Sequence, residues 1–536
     1  MRRTIFSTLS LALSASVFAF GGPAFAQSEA QSGGVLRIAT YEPLCLDQNE
    51  GSSRNTQTAL QDVYDRLVYK TQEGEYFPWL ASEWSISEDG LTYTFTIRDG
   101  VVFHDGTTLD AEAVRINLQR WVDDRSANGV PVTSVTADGN VVTITLSEPH
   151  GPLLHDLSEP VQGIVAPSSI EAFSKEERCA GGPDITIGSG PFKVVGRTQG
   201  QDLILERFED YNWPSAAAQH TGPAYLERIE MRFLTEDSVR VGAVESGQAD
   251  IAAGIPAISV AAIEGNSNLQ LIRTEQPGIP WSMWVNQSKP ALADQSVREA
   301  IRIGVDYSSL VNAVFLGTSS PAYSAITPGI PAAYDAGQEG RWSFDAEAAK
   351  ALLDKAGWSE IGADGIRVKD GERLSLKAVT ATNWNNQQRE LFAQGIQAGL
   401  QAIGIEYSRE VLDFATVDAR MKANEYDLVD TSQSSGDGAT LLFGAFQSTS
   451  LWPANTNWGF VDDAALDDAL NTAVASADPT VQNEQVKIAQ KIINDGAYLI
   501  PIANPQVILA ASTKVKGTVF SSSGQIGTFY DVWLEQ

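Results

Sequence analysis

Two periodicities alternate along the chain. In Tyr93-Thr94-Phe95-Thr96-Ile97 apolar residues occupy every second position, and residues 141–146 repeat the pattern. Each reads as a half-buried strand, with Asp138-Gly139-Asn140 as the turn before the second. Between them the spacing changes to three and four. Val114, Leu118 and Trp121 share one helical face behind Asp110, a good N-cap. Tyr69 to about Pro183 therefore predicts a small mixed α/β unit. Ahead of it, Val35-Leu36-Arg37-Ile38-Ala39 predicts a strand and residues 56–67 a helix. From Gly188 strands return at 192–195, 203–205 and 229–233, followed by a helix over 238–246 that stops at Gly247. Gln276-Pro277-Gly278-Ile279-Pro280 gathers chain breakers and predicts a crossing between domains.

The last large section is more regular. Asp345 caps a helix whose Ala349, Leu353 and Ala356 share a face, and Gly357 ends it. Residues 374–379 predict a strand. Phe392, Ile396, Leu400 and Ile403 line a helix, Gly404 stops it, and Ile405-Glu406-Tyr407 begins another strand. That is a β-α-β unit. Its first loop, residues 380–386, lies at the carboxyl end of a strand, where open α/β sheets bind ligands.

The amino terminus changes the picture. Arg2 and Arg3 precede an uncharged, mostly apolar run over 5–20, and Ala24-Phe25-Ala26 supplies a small-x-small cleavage pattern. This is the form of a secretory signal cut after Ala26. The run is too short to serve comfortably as a membrane anchor. Arg2-Arg3 leaves general or twin-arginine export open. A chain of 536 residues exceeds what one core usually serves, so two or three domains are expected. The formal charge of −30 repels phosphate backbones, which excludes nucleic acid as a partner. Cys45 and Cys179 are the 2 cysteines. An oxidising compartment permits a disulfide between them; two separate buried thiols are the alternative.

Ordered blocks then resemble a family. Phe77-Pro78-Trp79-Leu80-Ala81-Ser82-Glu83-Trp84-Ser85, followed by Asp89-Gly90-Leu91-Thr92-Tyr93-Thr94-Phe95, is similar to the signature of the periplasmic oligopeptide, dipeptide and nickel-type solute-binding proteins of ABC importers. Glu83 stands where the signature has Ser. Arg98-Asp99-Gly100-Val101-Val102-Phe103-His104-Asp105-Gly106 continues it. Gly188-Ser189-Gly190-Pro191-Phe192, Ser246-Gly247-Gln248-Ala249-Asp250-Ile251 and Val297-Arg298-Glu299-Ala300-Ile301 with Asp306 follow in the family's order.

The resemblance implies an α/β fold of the type II periplasmic-binding class: two lobes with an inserted accessory α/β domain. After a leader over 1–26, the first lobe takes 27–68, 188–276 and 504–536, the accessory domain 69–187, and the second lobe 277–503. Ligand is enclosed as the lobes close by hinge motion. In the family's dipeptide binders an Asp of the second lobe holds the ligand ammonium and an Arg of the 380–386 loop its carboxylate. Asp437 fits the Asp region best, though Gly436-Asp437-Gly438 is also turn chemistry. The Arg is absent, and Asn383 falls near its place in Thr382-Asn383-Trp384-Asn385-Asn386. Its loss puts free dipeptides in doubt. Amides and one Trp suit a larger or less acidic ligand. The candidate ligand-binding residues are Asp437, Asn383, Trp384, Asn385, Tyr41, Trp281 and Trp452; each aromatic could equally be core. Cys45 and Cys179 are the candidate disulfide, joining first lobe to accessory domain.

Enzyme chemistry finds little support. The 4 histidines are His104, His150, His155 and His220, and no HExxH, GxSxG or CxxC pattern occurs. His104 sits beside a turn in a family block and reads as structural. His150 and His155 flank Gly151-Pro152 and read as a surface loop. Gly188-Ser189-Gly190-Pro191 lacks the Lys-Ser/Thr of a phosphate cradle. Asp123-Asp124 and Asp462-Asp463 read as solvated. The expectation is a periplasmic, monomeric receptor without cofactor or metal. Its partners would be a peptide or peptide-like ligand and the permease subunits of an ABC transporter. Opines, sugar conjugates or oligosaccharides are the next ligand classes, then a nickel or metal chelate. An exported hydrolase or a chaperone-like protein is the rival class, distinguished by whether a bound solute is returned unchanged. N-terminal sequencing of the exported protein should begin at Gln27; a start at Met1, or retention in washed membranes, contradicts the leader.

Overall fold

The computed structural model describes residues 30–50, 54–123, 129–385 and 387–536. The expected leader, Asp124 and Asn386 lie outside the described residues.

A sheet of 12 strands runs through the molecule. Its spine is Leu499–Ser512. The first part of this strand pairs with Gly278–Val285, beyond which lie Leu428–Ser434, Ser375–Ala381 and Glu406–Leu412. The later part pairs with Leu269–Glu275 and Ile251–Ala253, beyond which lie Val35–Thr40, Arg228–Phe233, Asp202–Arg207 and Phe192–Thr198. Each half carries its own apolar core. Leu36, Ile229 and Leu509 belong to one cluster. In the other half Met283, Phe392 and Ile500 pack in one cluster and Trp284, Val379 and Leu499 in another. This is the two-lobe α/β architecture of the type II periplasmic-binding class.

The predicted small unit forms a separate antiparallel sheet in the order Ala81–Ile86, Thr92–Ile97, Val141–Leu146, Val132–Asp138. Its alternating residues Tyr93, Phe95, Val142 and Ile144 are buried, and helix Ala111–Asp123 lays Val114, Leu118 and Trp121 into the same core. Asp110 Oδ1 accepts from the Ala113 amide at 2.9 Å, the expected N-cap. The core is continuous with that of the first lobe, so this unit is an outgrowth of it.

Two expectations need correction. The helix expected over 56–67 is Arg54–Leu60 only. Beyond it the Asp62 and Val63 carbonyls accept from the Phe192 and Gly190 amides and leave helical pairing. A side chain at Gly188 or Gly190 would collide with these same carbonyls, which explains the glycines of the Gly-Ser-Gly-Pro block. Gly278-Ile279-Pro280, the end of the breaker cluster expected at the crossing, opens a strand. The strand accommodates Pro280 where its register slips between Ile279 and Ser282. Gly278 meets Gln433 so closely, at φ 136°, that no side chain fits. Last, His150 and His155 are not in a surface loop. Both are buried; His150 Nε2 pairs with Asp156 at 2.8 Å, and His155 lies in helix Leu153–Ser158.

The two cysteines are bonded as Cys45–Cys179, linking the segment after the first strand to helix Lys175–Ala180 across 134 residues. His104 is structural, as expected: it sits between the Gly190 carbonyl at 2.9 Å and the Gly188 amide at 3.3 Å.

Asp65 is buried beneath the same block and accepts from Ser189 Oγ, Trp213 Nε1 and Tyr211 Oη. Burial pushes its carboxyl up to about 7 even against these donors. Between its ordinary 3.8 and about 7 the folded state holds a proton that the unfolded chain has lost. This group therefore makes stability fall as pH rises through that window. His104, pulled from 6.5 to about 4 by burial, acts oppositely as pH falls. Whatever Asp65→Asn costs outright, it removes the carboxylate contribution alone. The melting temperature of the variant relative to the native protein should be higher at pH 8 than at pH 5. A difference that is flat with pH contradicts the assignment.

Candidate functional site

Ser375–Ala381, Glu406–Leu412 and Leu428–Ser434 are parallel neighbours, so their carboxyl ends emerge on one edge of the second lobe. Two loops start there: the turn Thr382–Trp384 leading to helix Gln387–Ala402, and residues 435–437 leading to helix Gly438–Phe446.

Behind the first loop lies a network that sequence reasoning missed. Arg389, in the first turn of its helix, donates to the Trp384 carbonyl at 2.5 Å and to Ser432 Oγ at 3.0 Å, with its guanidinium 5.3 Å above the Trp281 ring. Arg409 binds Asp430 at 2.6 Å, Asn385 Oδ1 at 3.0 Å and Glu390 at 3.1 Å. Asp430 also accepts from Trp281 Nε1. The loop thus lacks an Arg of its own but is braced by two from neighbouring elements.

The nominated residues fall into three groups. Trp384 and Trp452 join one aromatic cluster: Trp384 packs edge-on to Phe414 at 5.6 Å and lies 6.0 Å from Trp458, and Trp452 lies 6.2 Å from Trp458. Trp452 Nε1 also donates to Asp418 at 3.1 Å. Asn385 is held by Arg409, and Asn383 lies in the turn, its side chain outside the described residues. Trp281 departs from expectation: at 2% exposure, packed on Phe392 and Phe315, it is core of the second lobe. Tyr41 belongs to the first lobe, its ring 3.9 Å beneath Arg240 and its hydroxyl between Arg240 and Asp237.

Asp437 sits where the lobes meet. It caps helix Gly438–Phe446 by accepting from the Thr440 amide at 2.8 Å. Opposite it, Lys70 of strand Val68–Lys70 donates to the Gly436 carbonyl at 3.0 Å and faces His155 Nδ1 at 3.3 Å. Burial alone would push the Asp437 carboxyl up, but His155, Lys70 and the Thr440 amide hold it below the usual carboxylate value. Burial pulls the Lys70 ammonium below its ordinary value, opposed by Asp437, Glu159 and Asp156. A cavity of 190 Å³ opens here, walled by Lys70, Gln72 and Tyr76 on one side and Ile330, Asp437 and Gln482 on the other. Lys70 carried a sequence signal: it shares a face with buried Val68 in a period-2 strand, an inward position unusual for a lysine.

A larger cavity of 680 Å³, lined by Tyr69, Trp79, Tyr225, Tyr530 and Trp533, takes no residue from the second lobe. Lobe closure cannot enclose a solute there, so the interlobe edge is the better candidate.

Two lobes, strand-end loops facing the junction and an inserted domain define a solute-binding protein of the peptide-binding class. The chain belongs to the bacterial extracellular solute-binding proteins, family 5, whose model matches residues 75–450. It is a transport binding protein, not an enzyme. Among its relatives, the probable D,D-dipeptide-binding periplasmic protein DdpA of Escherichia coli K12 is 27% identical over 503 residues, 90% of each chain. The glutathione-binding protein GsiB of Escherichia coli O6:K15:H31 is 26% identical over 481 residues, 88% of this chain and 89% of its own. The solved structure of HbpA2 from Haemophilus parasuis matches with a TM-score of 0.79 at 23% identity, over 94% of this chain and 100% of that one.

Asp437→Ala removes a helix cap and the acid that faces Lys70. It should cost about 1–2 kcal/mol of stability by denaturant titration. A loss within error of zero contradicts the capping geometry.

Proposed function

We propose that this chain captures peptides or peptide-like solutes between its lobes and delivers them to the permease subunits of an ABC importer. The family match over 75–450 carries this reading. The names of two relatives, a D,D-dipeptide binder and a glutathione binder, support the peptide class. The protein works as a monomer in the periplasm, where DdpA is named as residing, after a leader is removed behind Ala26. The lobes divide at residues 277 and 503. Their contacts, Gly151 N–H to the Val474 carbonyl at 2.8 Å and Lys70 to Gly436, belong to a closed arrangement that opens for ligand entry.

From the second lobe the 382–386 loop and residues 435–437 meet the ligand. Asn383 stands near the place of the family's Arg, and Arg389 and Arg409 are engaged with Trp384, Asn385, Glu390 and Asp430. A free dipeptide would bury its carboxylate there with no cation committed to it, so longer or capped peptides bind better.

Calorimetry with di-, tri- and tetraalanine should rank the tripeptide and tetrapeptide above the dipeptide. Small-angle scattering should show a smaller radius of gyration at saturation. Trp384→Ala should weaken binding by about 1–3 kcal/mol through lost stacking. Tight dialanine binding would falsify the selectivity, and an unchanged radius the closure.

A further inference from the structure

The junction between the lobes carries its own cation. Lys70 is buried, its ammonium donates to the Gly436 carbonyl at 3.0 Å, and it lines the same 190 Å³ cavity as Asp437. The Tyr76 ring lies 5.3 Å from the ammonium and His155 Nδ1 lies 3.3 Å away. His155 is in turn 3.7 Å from Glu159, and Asp156 is paired with His150. Asp437 already gives one oxygen to the Thr440 amide. An ammonium therefore already stands on the wall of the cavity that this carboxylate lines, held on the neighbouring Gly436 carbonyl. A ligand ammonium placed beside it would bring a second buried cation next to Lys70, which Coulomb repulsion at low dielectric opposes.

We infer that Lys70 is a specificity-determining residue: it occupies the place of a cationic ligand end beside Asp437, so the captured solute presents a neutral group, an amide or hydroxyl, there. The Gly436 carbonyl and Asp437 then serve to position Lys70. The inference rests on the reading of the interlobe edge as the solute site.

Matched probes test it: tetraalanine with a free amine and N-acetyl-tetraalanine, titrated calorimetrically into the full exported chain. The native protein should bind the acetylated peptide at least as tightly as the free one. Lys70→Met and Lys70→Gln, each checked for folding by circular dichroism, should shift the affinity ratio about tenfold or more toward the free amine. Lys70→Arg, which keeps the charge, should retain the native ratio. A native preference for the free amine above about tenfold, or an unchanged ratio in folded Lys70→Gln, overturns the inference. A second measurement needs no ligand: carboxyl ¹³C titration of Asp437. Titration below the usual carboxylate range in the native protein, rising in Lys70→Gln, supports the pairing. Titration at or above that range in the native protein overturns it. If neither peptide binds while the native Asp437 titration is low, the peptide reading fails and the pairing of Lys70 with Asp437 stands.

Discussion

Everything in this molecule hangs on one backbone ladder. Leu499–Ser512 crosses from one lobe to the other without a break and exchanges partners on the way, from Gly278–Val285 to Leu269–Glu275. Pro501 and Pro505 lie within it. A proline has no N–H to donate, and at the exchange the short strand Ser319–Pro321 pairs with Ala503–Pro505. Side chains fill in: Asn504 Nδ2 donates to Ser320 Oγ and the Pro321 carbonyl, and Gln506 Nε2 to Glu275. The Gln276 amide still reaches the Pro505 carbonyl at 2.9 Å. The single strand thus ties the two lobes together through three partners, Gly278–Val285, Ser319–Pro321 and Leu269–Glu275.

The first lobe depends on a denser constraint. The Gly188–Gly190 segment packs backbone to backbone on residues 62–63, and Asp62 and Asp65 are sealed beneath. Two carboxylates buried so close to one packed segment are costly unless donors surround them. Thr528 Oγ1 and the Phe529 amide serve Asp62, and Ser189, Tyr211 and Trp213 serve Asp65. These donors come from far-separated segments, including the carboxyl-terminal part of the chain. The arrangement thus fastens the last stretch of chain onto the first lobe, beside the Cys45–Cys179 link.

Elements with a local cause were legible in the sequence. Asp345 does cap Ala346–Lys355, Gly404 does end the helix that buries Phe392, Ile396 and Leu400, and the alternation in 93–97 and 141–146 does mark half-buried strands. The family blocks also carried the fold. What failed lacked a local cause. Trp281 was open between core and pocket because all eight residues of Gly278–Val285 are buried, so no alternation marks a face. The Arg409–Asp430 pair joins two consecutive strands that the sheet separates by Ser375–Ala381. His150 and His155 looked like loop residues around Gly151-Pro152. Their burial comes from the approach of a second-lobe segment, where the Gly151 amide reaches Val474. Arg389 and Arg409 were invisible for the same reason: their meaning is set by what faces them across the sheet.

The electrostatics of the junction follow from this. The chain carries a formal charge of −30, so its long-range field draws cations toward any cleft. Selectivity at close range must then come from the walls. Lys70, at the start of the accessory domain, donates to the Gly436 carbonyl beside Asp437, and Arg409 pairs with Asp430 within the second lobe. A cation entering beside Asp437 would meet the Lys70 ammonium there, and Asp430 is already paired with Arg409. Like charges about 4 Å apart repel by about 4 kcal/mol at an effective dielectric of about 20, against roughly 8 kcal/mol for a micromolar ligand. A penalty of that size separates solutes that share a backbone but differ in one terminal charge. On the inference drawn for Lys70, the general attraction of an acidic receptor for cations is kept out of its specificity.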